Sequence, residues 1–345
     1  MSEEEVLFER EGAAGFVTLN RPKALNALTL AMVRALHPQL EAWAADEAVS
    51  CVVVQGAGEK AFCAGGDIRA LHDWGKAKDR TQIDFYREEY RLNRFIKKYP
   101  KPYVALIDGI DMGGGVGLSI HGAHRVVSER TLFAMPETGI GLFPDVGGTY
   151  FLPRCPGEVG MYLALTGARL KAADCLYAGL ADAFVPSEKL EDLKAALAKG
   201  DAAPGEVIGR FAEPAGEAPL NEVRAAIDTH FAGGSVEEIL ASLDAAGSGW
   251  AQETAKTIRA KSPLSTKVAF AQVRAGAKLD FDACMQLEFR LTNRFMAGHD
   301  FYEGVRAVVI DKDQAPKWDP ATLDGVSEDM VQAYFADLGA GELTF

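Results

Sequence analysis

The sequence lacks an excess of basic residues, paired cysteines and a long apolar run. Its 36 Lys and Arg residues stand against 49 Asp and Glu residues, a net charge of −13, whereas a nucleic-acid-binding protein normally shows a basic face. Five cysteines are scattered without a C-x-x-C pair, which argues against a disulfide scaffold and a structural zinc site. No stretch is apolar for the roughly 18 residues of a membrane span. We therefore predict no nucleic-acid partner and no membrane partner.

The amino terminus also lacks targeting features. The first residues, MSEEE, are acidic and have neither the apolar segment of a signal peptide nor the arginines of a transit peptide. Scattered cysteines are typical of a reducing compartment. These observations predict a cytoplasmic location.

Several familiar catalytic motifs are missing as well. The chain has no G-x-S-x-G nucleophile elbow and no H-E-x-x-H pair, and its six histidines form no ligand-spaced set. We therefore predict no metal. The glycine run 113–118 fails the G-x-G-x-x-G fingerprint because Leu118 stands at the third glycine, which disfavours a nucleotide-binding oxidoreductase.

Strand and helix patterns alternate through the first half of the chain. Apolar runs predict strands at 16–19, 51–54, 103–107, 125–127 and 132–135, and helical spacing predicts helices at 29–45, 67–75, 82–98 and 115–122. This alternation predicts an α/β fold. Strand patterns fade after Val185, and the Ala-, Gly- and Pro-rich segment 201–219 reads as a loop or linker. We expect an α/β core over 1–198 and a helical region over 199–345, with helices beginning after Ser262 and Asp280.

Two glycine-rich segments each precede a predicted helix. The first is Ala64-Gly65-Gly66-Asp67 and the second runs from Gly113 to Leu118. Backbone N–H groups at such places can bind a ligand closely and could jointly donate to one developing oxyanion. Tight strand-to-helix turns and close helix packing explain the same glycines equally well, so both interpretations stay open at this point.

Two acids stand in the apolar and glycine-rich segment 135–148. Glu137 follows Pro136, and Asp145 precedes Val146 and two glycines. Carboxyl groups in apolar surroundings often have shifted pKa values and perform acid–base chemistry. Each acid could instead cap a turn, and for Asp145 taken alone the cap is the favoured interpretation.

Taken in order, AFCAGGD, KPYVALIDGIDMGGGVGL and FAMPETGIGLFPDVGGTYFLPR resemble the enoyl-CoA hydratase/isomerase family, also called the crotonase superfamily. The similarity covers nearly the whole chain, including residues 21–26, 87–90, 299–306 and 316–318. It implies a crotonase-like spiral of ββα turns followed by a helical C-terminal region. It also implies an acyl-CoA substrate whose thioester oxygen accepts from the N–H groups of Gly66 and Gly114.

Acid positions distinguish activities within this family. Hydratases carry two catalytic glutamates; here Gly117 stands at the first position and Glu137 at the second. Asp145 occupies a place that is glycine in typical hydratases. This pattern more closely resembles family members that hydrolyse 3-hydroxyisobutyryl-CoA in valine degradation, with 3-hydroxypropionyl-CoA as a second candidate substrate.

The resemblance also implies roles for individual residues. Glu137 either attacks the thioester carbonyl or deprotonates a water that does, Asp145 binds the 3-hydroxyl group, and Glu89 lies near the acyl end. The remaining predicted substrate contacts are Ala64, Asp67 and Ile68. Coenzyme A is part of the substrate, and no other cofactor is expected. The family resemblance leaves a homo-oligomer, a trimer or a hexamer, open.

Two alternatives remain at this stage. One is hydration or isomerisation of another enoyl-CoA, which Glu137 alone could serve as an isomerase. The other is a non-catalytic protein that binds CoA thioesters, against which the presence of both Glu137 and Asp145 argues.

Overall fold

The computed structural model describes residues 4–345, which form an α/β structure. Within these residues, nine strands are present: β1 (Val6–Glu11), β2 (Ala14–Leu19), β3 (Cys51–Gly56), β4 (Ala61–Cys63), β5 (Tyr103–Ile107), β6 (Ile110–Met112), β7 (His124–Val127), β8 (Leu132–Ala134) and β9 (Ala183–Phe184). The predicted α/β class is confirmed.

Sixteen α-helices lie in the same described range. They are α1 (Leu30–Ala45), α2 (Ile68–Lys76), α3 (Thr81–Lys97), α4 (Gly114–Ser119), α5 (Gly148–Phe151), α6 (Val159–Thr166), α7 (Ala172–Tyr177), α8 (Leu190–Lys199), α9 (Pro204–Phe211), α10 (Pro219–His230), α11 (Val236–Ala246), α12 (Gly249–Arg259), α13 (Pro263–Gly276), α14 (Phe281–Ala297), α15 (Asp300–Val305) and α16 (Glu328–Phe335).

The chain forms two compact units, each assembled from separate segments. The first contains the residues up to Asp67 together with Arg91–Ala134 and Arg169–Asn221. The second contains Ile68–Tyr90, Met135–Ala168 and Glu222–Phe345. These units interleave along the chain, whereas the predicted regions 1–198 and 199–345 follow one another, and that sequential division stays a prediction.

The first unit contains two sheets. Over the described residues, the larger has six strands in the order β1-β2-β3-β5-β7-β9, and only the β1–β2 pair is antiparallel. The smaller is parallel, with the order β4-β6-β8. Successive strands alternate between the sheets: β3 is followed by β4, β5 by β6 and β7 by β8. This repeat positions the loops after β4 and β6 side by side.

The apolar runs that predict strands are buried on both faces of the larger sheet. Phe16 pairs with Val53, which pairs in turn with Val104, and each is at most 4% exposed. Leu193 of α8 and Val207 of α9 pack into the same core. Continuous β-branched strands are typical of sheets covered by helices, so the sequence pattern and the packing agree.

The prediction for residues 201–219 is wrong. The sequence predicts a loop or linker there, yet the segment contains α9, which begins at Pro204. Proline is favoured in the first turn of a helix because its missing N–H would have no partner there. Val207 and Ile208 then bury their side chains in the core of the larger sheet. The Ala-, Gly- and Pro-rich composition hides this short helix.

The second unit is helical, and its longest helices begin where the sequence predicts. The Ser262 side chain accepts from the backbone N–H of Ser265 at 3.0 Å, and Asp280 accepts from Ala283 at 2.8 Å. Such N-caps satisfy N–H groups that have no partner within the helix. They fix the starts of α13 and α14, which contribute buried polar side chains to the site described next.

Candidate active site

In the first unit, the segment Ala64–Asp67 lies against the loop formed by residues 25–28. Leu28 donates its N–H to Gly65 at 2.8 Å and accepts from Asp67 at 2.9 Å, a parallel bridge centred on Gly66. In a parallel bridge the central residue points its own N–H away from the partner strand. The Gly66 N–H therefore points away from Leu28.

Residues 21–26, noted above only for their family resemblance, hold this loop in shape. The Asn26 side chain is fully buried and donates to Ala57 and Ala61 carbonyl oxygens at 3.0 and 2.8 Å. Arg21 donates to the Ala27 carbonyl at 2.6 Å and pairs with the Asp67 carboxylate at 3.1 Å. Asp67, predicted as a substrate contact, thus also anchors its segment to the loop.

The second glycine segment lies beside the first. Gly65 has a φ of +110°, and a Cβ atom there would lie 3.3 Å from the Met112 carbonyl oxygen and 3.8 Å from the Gly114 nitrogen. Helix α4 begins at Gly114, where backbone N–H groups have no acceptor within the helix. The structure therefore brings Gly66 and Gly114 into adjacent segments, as a shared pair of oxyanion donors requires.

Position 117 on α4 carries no side chain that could act on a substrate. Gly117 is buried, and its carbonyl oxygen accepts from the Asn93 side chain at 3.0 Å. Nearby, the fully buried Asp111 accepts from Ser119 at 2.6 Å, and burial raises its pKa to about 7. Sequence reasoning did not identify this acid in the first unit.

In the second unit, four carboxyl groups lie close together in the interior. Glu89 is on α3, Glu137 starts a short 3₁₀ turn, Asp145 lies in the turn before α5, and Glu288 is on α14. None is more than 4% exposed. One oxygen of Glu89 and one of Glu137 have no hydrogen-bond partner among the described residues. A buried polar atom without a partner costs free energy and calls for a functional explanation.

Burial dominates the electrostatics of this cluster. It raises the pKa of Glu137 well above the ordinary range, the negative charge of Asp145 raises it further, and Lys261 partly opposes both effects. Burial, and then the charges of Asp145 and Glu288, also raise the pKa of Glu89. Carboxyl groups this close cannot all ionise at neutral pH, because like charges in a low-dielectric interior repel. Burial raises the pKa of Asp145 to about 7 and that of Glu288 to about 8, so the cluster holds protons near neutral pH.

Tyrosine hydroxyls complete the cluster. Tyr90 donates to Asp145 Oδ2 at 2.8 Å, and its hydroxyl oxygen is 2.7 Å from Thr292 Oγ1 on α14. Tyr86 is buried beside the same acids, and burial followed by the charge of Asp145 raises its pKa. The Asp145 main chain forms the expected turn, accepting from Gly148 at 2.8 Å. Asp145 therefore shapes the turn with its backbone while its carboxyl joins the cluster.

The predicted site residues fall into both units. Ala64, Gly66, Asp67 and Gly114 belong to the first, whereas the second holds Ile68, the first residue of α2, together with Glu89, Glu137 and Asp145.

The sequence reasoning missed Tyr90, Glu288 and Thr292. The last two occupy polar positions on the apolar face of α14 that contains Met285, Leu291 and Phe295. A glutamate and a threonine four residues apart on such a face was the signal that could have found them.

Within residues 4–345, no group of three or more His, Cys, Asp or Glu side chains is arranged to hold a metal ion. No helix in this range has the length and apolar character needed to cross a bilayer.

Comparison with known proteins identifies the family of the chain. A sequence model of the enoyl-CoA hydratase/isomerase family matches residues 14–335. The chain belongs to the enoyl-CoA hydratase/isomerase family. The predicted resemblance is thereby confirmed, and with it an acyl-CoA substrate class.

Individual family members resemble the chain over nearly its full length. The mitochondrial 3-hydroxyisobutyryl-CoA hydrolase of Danio rerio is 53% identical over 98% of this chain and 91% of its own length. The corresponding protein of Homo sapiens is 48% identical over 99% and 91% of the two chains. A crystal structure of a carnitinyl-CoA dehydratase from Mycobacterium thermoresistibile superposes with a TM-score of 0.95, with 43% identity and 99% of each chain covered. The crotonase-like fold is confirmed.

The predicted cytoplasmic location is wrong. The enoyl-CoA hydratase/isomerase family members from Danio rerio and Homo sapiens are both named as mitochondrial proteins. Scattered cysteines are also compatible with a reducing interior other than the cytoplasm, so the cysteine pattern did not discriminate between the two.

Proposed function

We propose that this protein hydrolyses the thioester of 3-hydroxyisobutyryl-CoA, releasing the free hydroxy acid and CoA. The observation that carries the proposal is the cluster in the second unit, where Glu137 and Asp145 are buried together with their pKa values raised. Position 117, where hydratases carry their other catalytic glutamate, is a buried glycine. Glu137 is available for the attack and Asp145 for binding the substrate hydroxyl. This pair of acids fits hydrolysis better than hydration, which uses two glutamates.

Relatives support the same reaction. Proteins 48% and 53% identical to this chain over nearly its full length are named 3-hydroxyisobutyryl-CoA hydrolases. The free hydroxy acid is the product expected of a step in valine degradation. 3-Hydroxypropionyl-CoA, which lacks only the methyl branch, is the second candidate substrate, because a missing methyl group changes binding by only about 1 kcal/mol.

The proposed mechanism divides the work between backbone and carboxyl groups. The N–H groups of Gly66 and Gly114 stabilise the negative charge that develops on the thioester oxygen. Glu137 either attacks the carbonyl carbon, forming a mixed anhydride that water then cleaves, or removes a proton from the attacking water. In both cases the C–S bond breaks, and CoA leaves as the thiol after taking up a proton.

Asp145 supplies selectivity in this proposal. Its carboxyl oxygen Oδ2 accepts a hydrogen bond from Tyr90, and the carboxyl group can also accept a hydrogen bond from the 3-hydroxyl of the substrate. A buried polar group left without its partner discriminates strongly against acyl groups that lack the hydroxyl. Glu89, whose Oε1 has no partner among the described residues, is assigned to the acyl end of the substrate.

The proposal extends to the rest of the substrate and to assembly. In this proposal the CoA portion of the substrate is contacted by Ala64, Asp67 and Ile68. No cofactor other than this CoA takes part. A trimeric or hexameric assembly stays a prediction from the family resemblance.

The deciding experiment measures free thiol release from 3-hydroxyisobutyryl-CoA beside hydration of crotonyl-CoA on the same preparation. We expect thiol release, with Glu137→Gln at least about 10²-fold slower because a general base or nucleophile is lost. Loss of the crotonyl double bond without thiol release would instead identify a hydratase, the activity class that the name of the dehydratase structure favours.

A further inference from the structure

Helix α14 presents two buried polar side chains to the turn that carries Asp145. Glu288 and Thr292 are four residues apart, so both lie on one face of the helix, and both are fully buried. Farther along the same face, Phe295 stacks on Phe143 with ring centroids 5.5 Å apart. This face of α14 therefore runs along the segment 143–149.

Glu288 binds the main chain of that turn. One carboxyl oxygen accepts from the Gly147 N–H at 2.8 Å and the other from the Thr149 N–H at 2.9 Å. The charges and dipoles facing it are the Asp145 carboxyl, the carboxyls of Glu89 and Glu137, the Tyr90 hydroxyl and the Cys284 thiol on its own helix. A bidentate contact with two backbone donors fixes the turn on both sides of Gly148.

The turn needs such support because its backbone is strained. Val146 has a φ of +49° and Gly147 a φ of +95°. The left-handed region is unusual for a β-branched residue and persists only where the surrounding structure enforces it. The Gln272 side chain supports the turn as well, donating to the Pro144 carbonyl at 2.6 Å.

Thr292 acts on the Asp145 side chain through Tyr90. The Tyr90 hydroxyl has one hydrogen, which it donates to Asp145 at 2.8 Å. Thr292, 2.7 Å away, consequently donates its own hydrogen to Tyr90. This chain of donors fixes the direction in which the Asp145 carboxyl presents its remaining acceptor positions.

We propose that α14 is the positioning element for hydroxyl recognition: Glu288 fixes the backbone beside Asp145, and Thr292 fixes the Asp145 carboxyl through Tyr90. Neither residue touches the substrate in this arrangement. The inference rests on the proposed function, because it assigns the 3-hydroxyl group to Asp145. It places the selectivity of the reaction partly in a helix that is distant in sequence from Asp145.

The test compares kcat/KM for 3-hydroxyisobutyryl-CoA with that for isobutyryl-CoA, which lacks the hydroxyl. In Glu288→Gln an NH₂ group faces one of the two backbone N–H donors, so one hydrogen bond to the turn is lost. We expect the ratio of the two kcat/KM values to fall by about tenfold or more. Thr292→Val removes the donor to Tyr90 while keeping the side-chain shape, and it should lower the ratio in the same direction. It also provides the comparison if Glu288→Gln does not fold.

Glu342→Gln is the matched control. Glu342 also accepts from a backbone N–H, that of Leu338 at 2.7 Å, and from Arg290 on α14 at 2.8 Å, but it lies outside the acid cluster. We expect its ratio to equal that of the wild type. A purely structural role for Glu288 would slow both substrates equally, and an unchanged ratio in folded Glu288→Gln and Thr292→Val would overturn the inference.

Measurements on the wild-type protein distinguish failure of this inference from failure of the proposed function. If the wild type releases no thiol from 3-hydroxyisobutyryl-CoA, the proposed function fails. If the wild type discriminates for the hydroxyl and the α14 variants discriminate equally well, only the positioning role fails.

Discussion

In the first compact unit the candidate functional groups are backbone amides of glycines, whereas in the second they are carboxyl side chains. Gly66 and Gly114 carry no charge; the bridge to Leu28 fixes the backbone of Gly66, and Gly114 is the first residue of α4. Glu137 and Asp145 are acids whose properties depend on burial and on each other's charge. The first kind of group provides fixed geometry, and the second provides a proton balance that changes with pH.

This difference implies that damage to the two units should have different kinetic signatures. Displacing a backbone donor weakens the stabilisation of an oxyanion without changing any pKa. Neutralising one acid of the cluster changes the pKa of its neighbours as well as removing a contact. Variants of the two units test this contrast, and the largest effect is expected in the acid cluster.

Asp145→Asn should have the largest effect of these variants and should reveal the coupling among the acids. We expect kcat/KM for 3-hydroxyisobutyryl-CoA to fall by about 10²-fold, with a much smaller change for isobutyryl-CoA, because a buried partner of the hydroxyl is altered. The charge of Asp145 raises the pKa of Glu137. Removing that charge lowers this pKa, and since Glu137 acts in its ionised form, the acid limb of the kcat/KM profile should move to lower pH.

Kinetics of both substrates between about pH 5 and pH 8 measure both effects. An acid limb that stays in place in Asp145→Asn would show that Glu137 titrates independently of Asp145. The contrast between the two units would then lose its electrostatic basis.

Gly65→Ala tests the backbone side of the comparison. A φ of +110° is strained for alanine, and the added Cβ would lie 3.3 Å from the Met112 carbonyl. We expect the loops beside Gly66 and Gly114 to shift, so that kcat falls by about tenfold, less than the loss for complete removal of an oxyanion donor. The acid limb should remain where it is in the wild type.

The matched control is Gly179, which has a φ of +72°. A Cβ atom added there would have no other atom within 4 Å. Gly179→Ala places alanine at another positive φ in the same unit, without a close contact, and should leave kcat unchanged. If both variants lose activity equally, the effect of Gly65→Ala is general destabilisation and not a displaced donor.

The sequence predicts the first unit better than the second, for a physical reason. Gly65 and Gly113 have φ values of +110° and +48°, which favour glycine, and such a local requirement is visible in a local motif. The strands of the larger sheet are likewise continuous apolar runs, because both faces are buried.

The acid cluster, in contrast, depends on residues far apart in the chain. Glu288 is 141 residues from Gly147, which donates to it, and Thr292 is 202 residues from Tyr90. Helical periodicity shows that Glu288 lies near an apolar face, but not which backbone donors it meets. The apolar surroundings in the sequence indicated Glu137 and Asp145, and the family resemblance added Glu89. Only the packing of α14 showed the residues that support them.

Asp111→Asn should have the smallest effect on activity and provides the last test of the comparison, because it removes a buried acid from the first unit. Burial raises the pKa of Asp111 to about 7, while its hydrogen bond from Ser119 opposes this. A carboxyl whose pKa is raised by folding contributes its full stability below the unfolded value of 3.8, and this contribution is lost as the pH rises through about 7. Asparagine does not ionise and can still accept from Ser119, so it avoids this loss. Between about pH 5 and about pH 8 the stability of the variant relative to the wild type should therefore rise by about 2 to 3 kcal/mol. Thermal unfolding at the two pH values measures this gain.

The pH profile of kcat/KM should be unchanged, since the first unit contributes to the proposed reaction through backbone groups. A shift of that profile in Asp111→Asn would mean that the backbone donors of this unit are also under electrostatic control, and the distinction between the two units would then be one of degree.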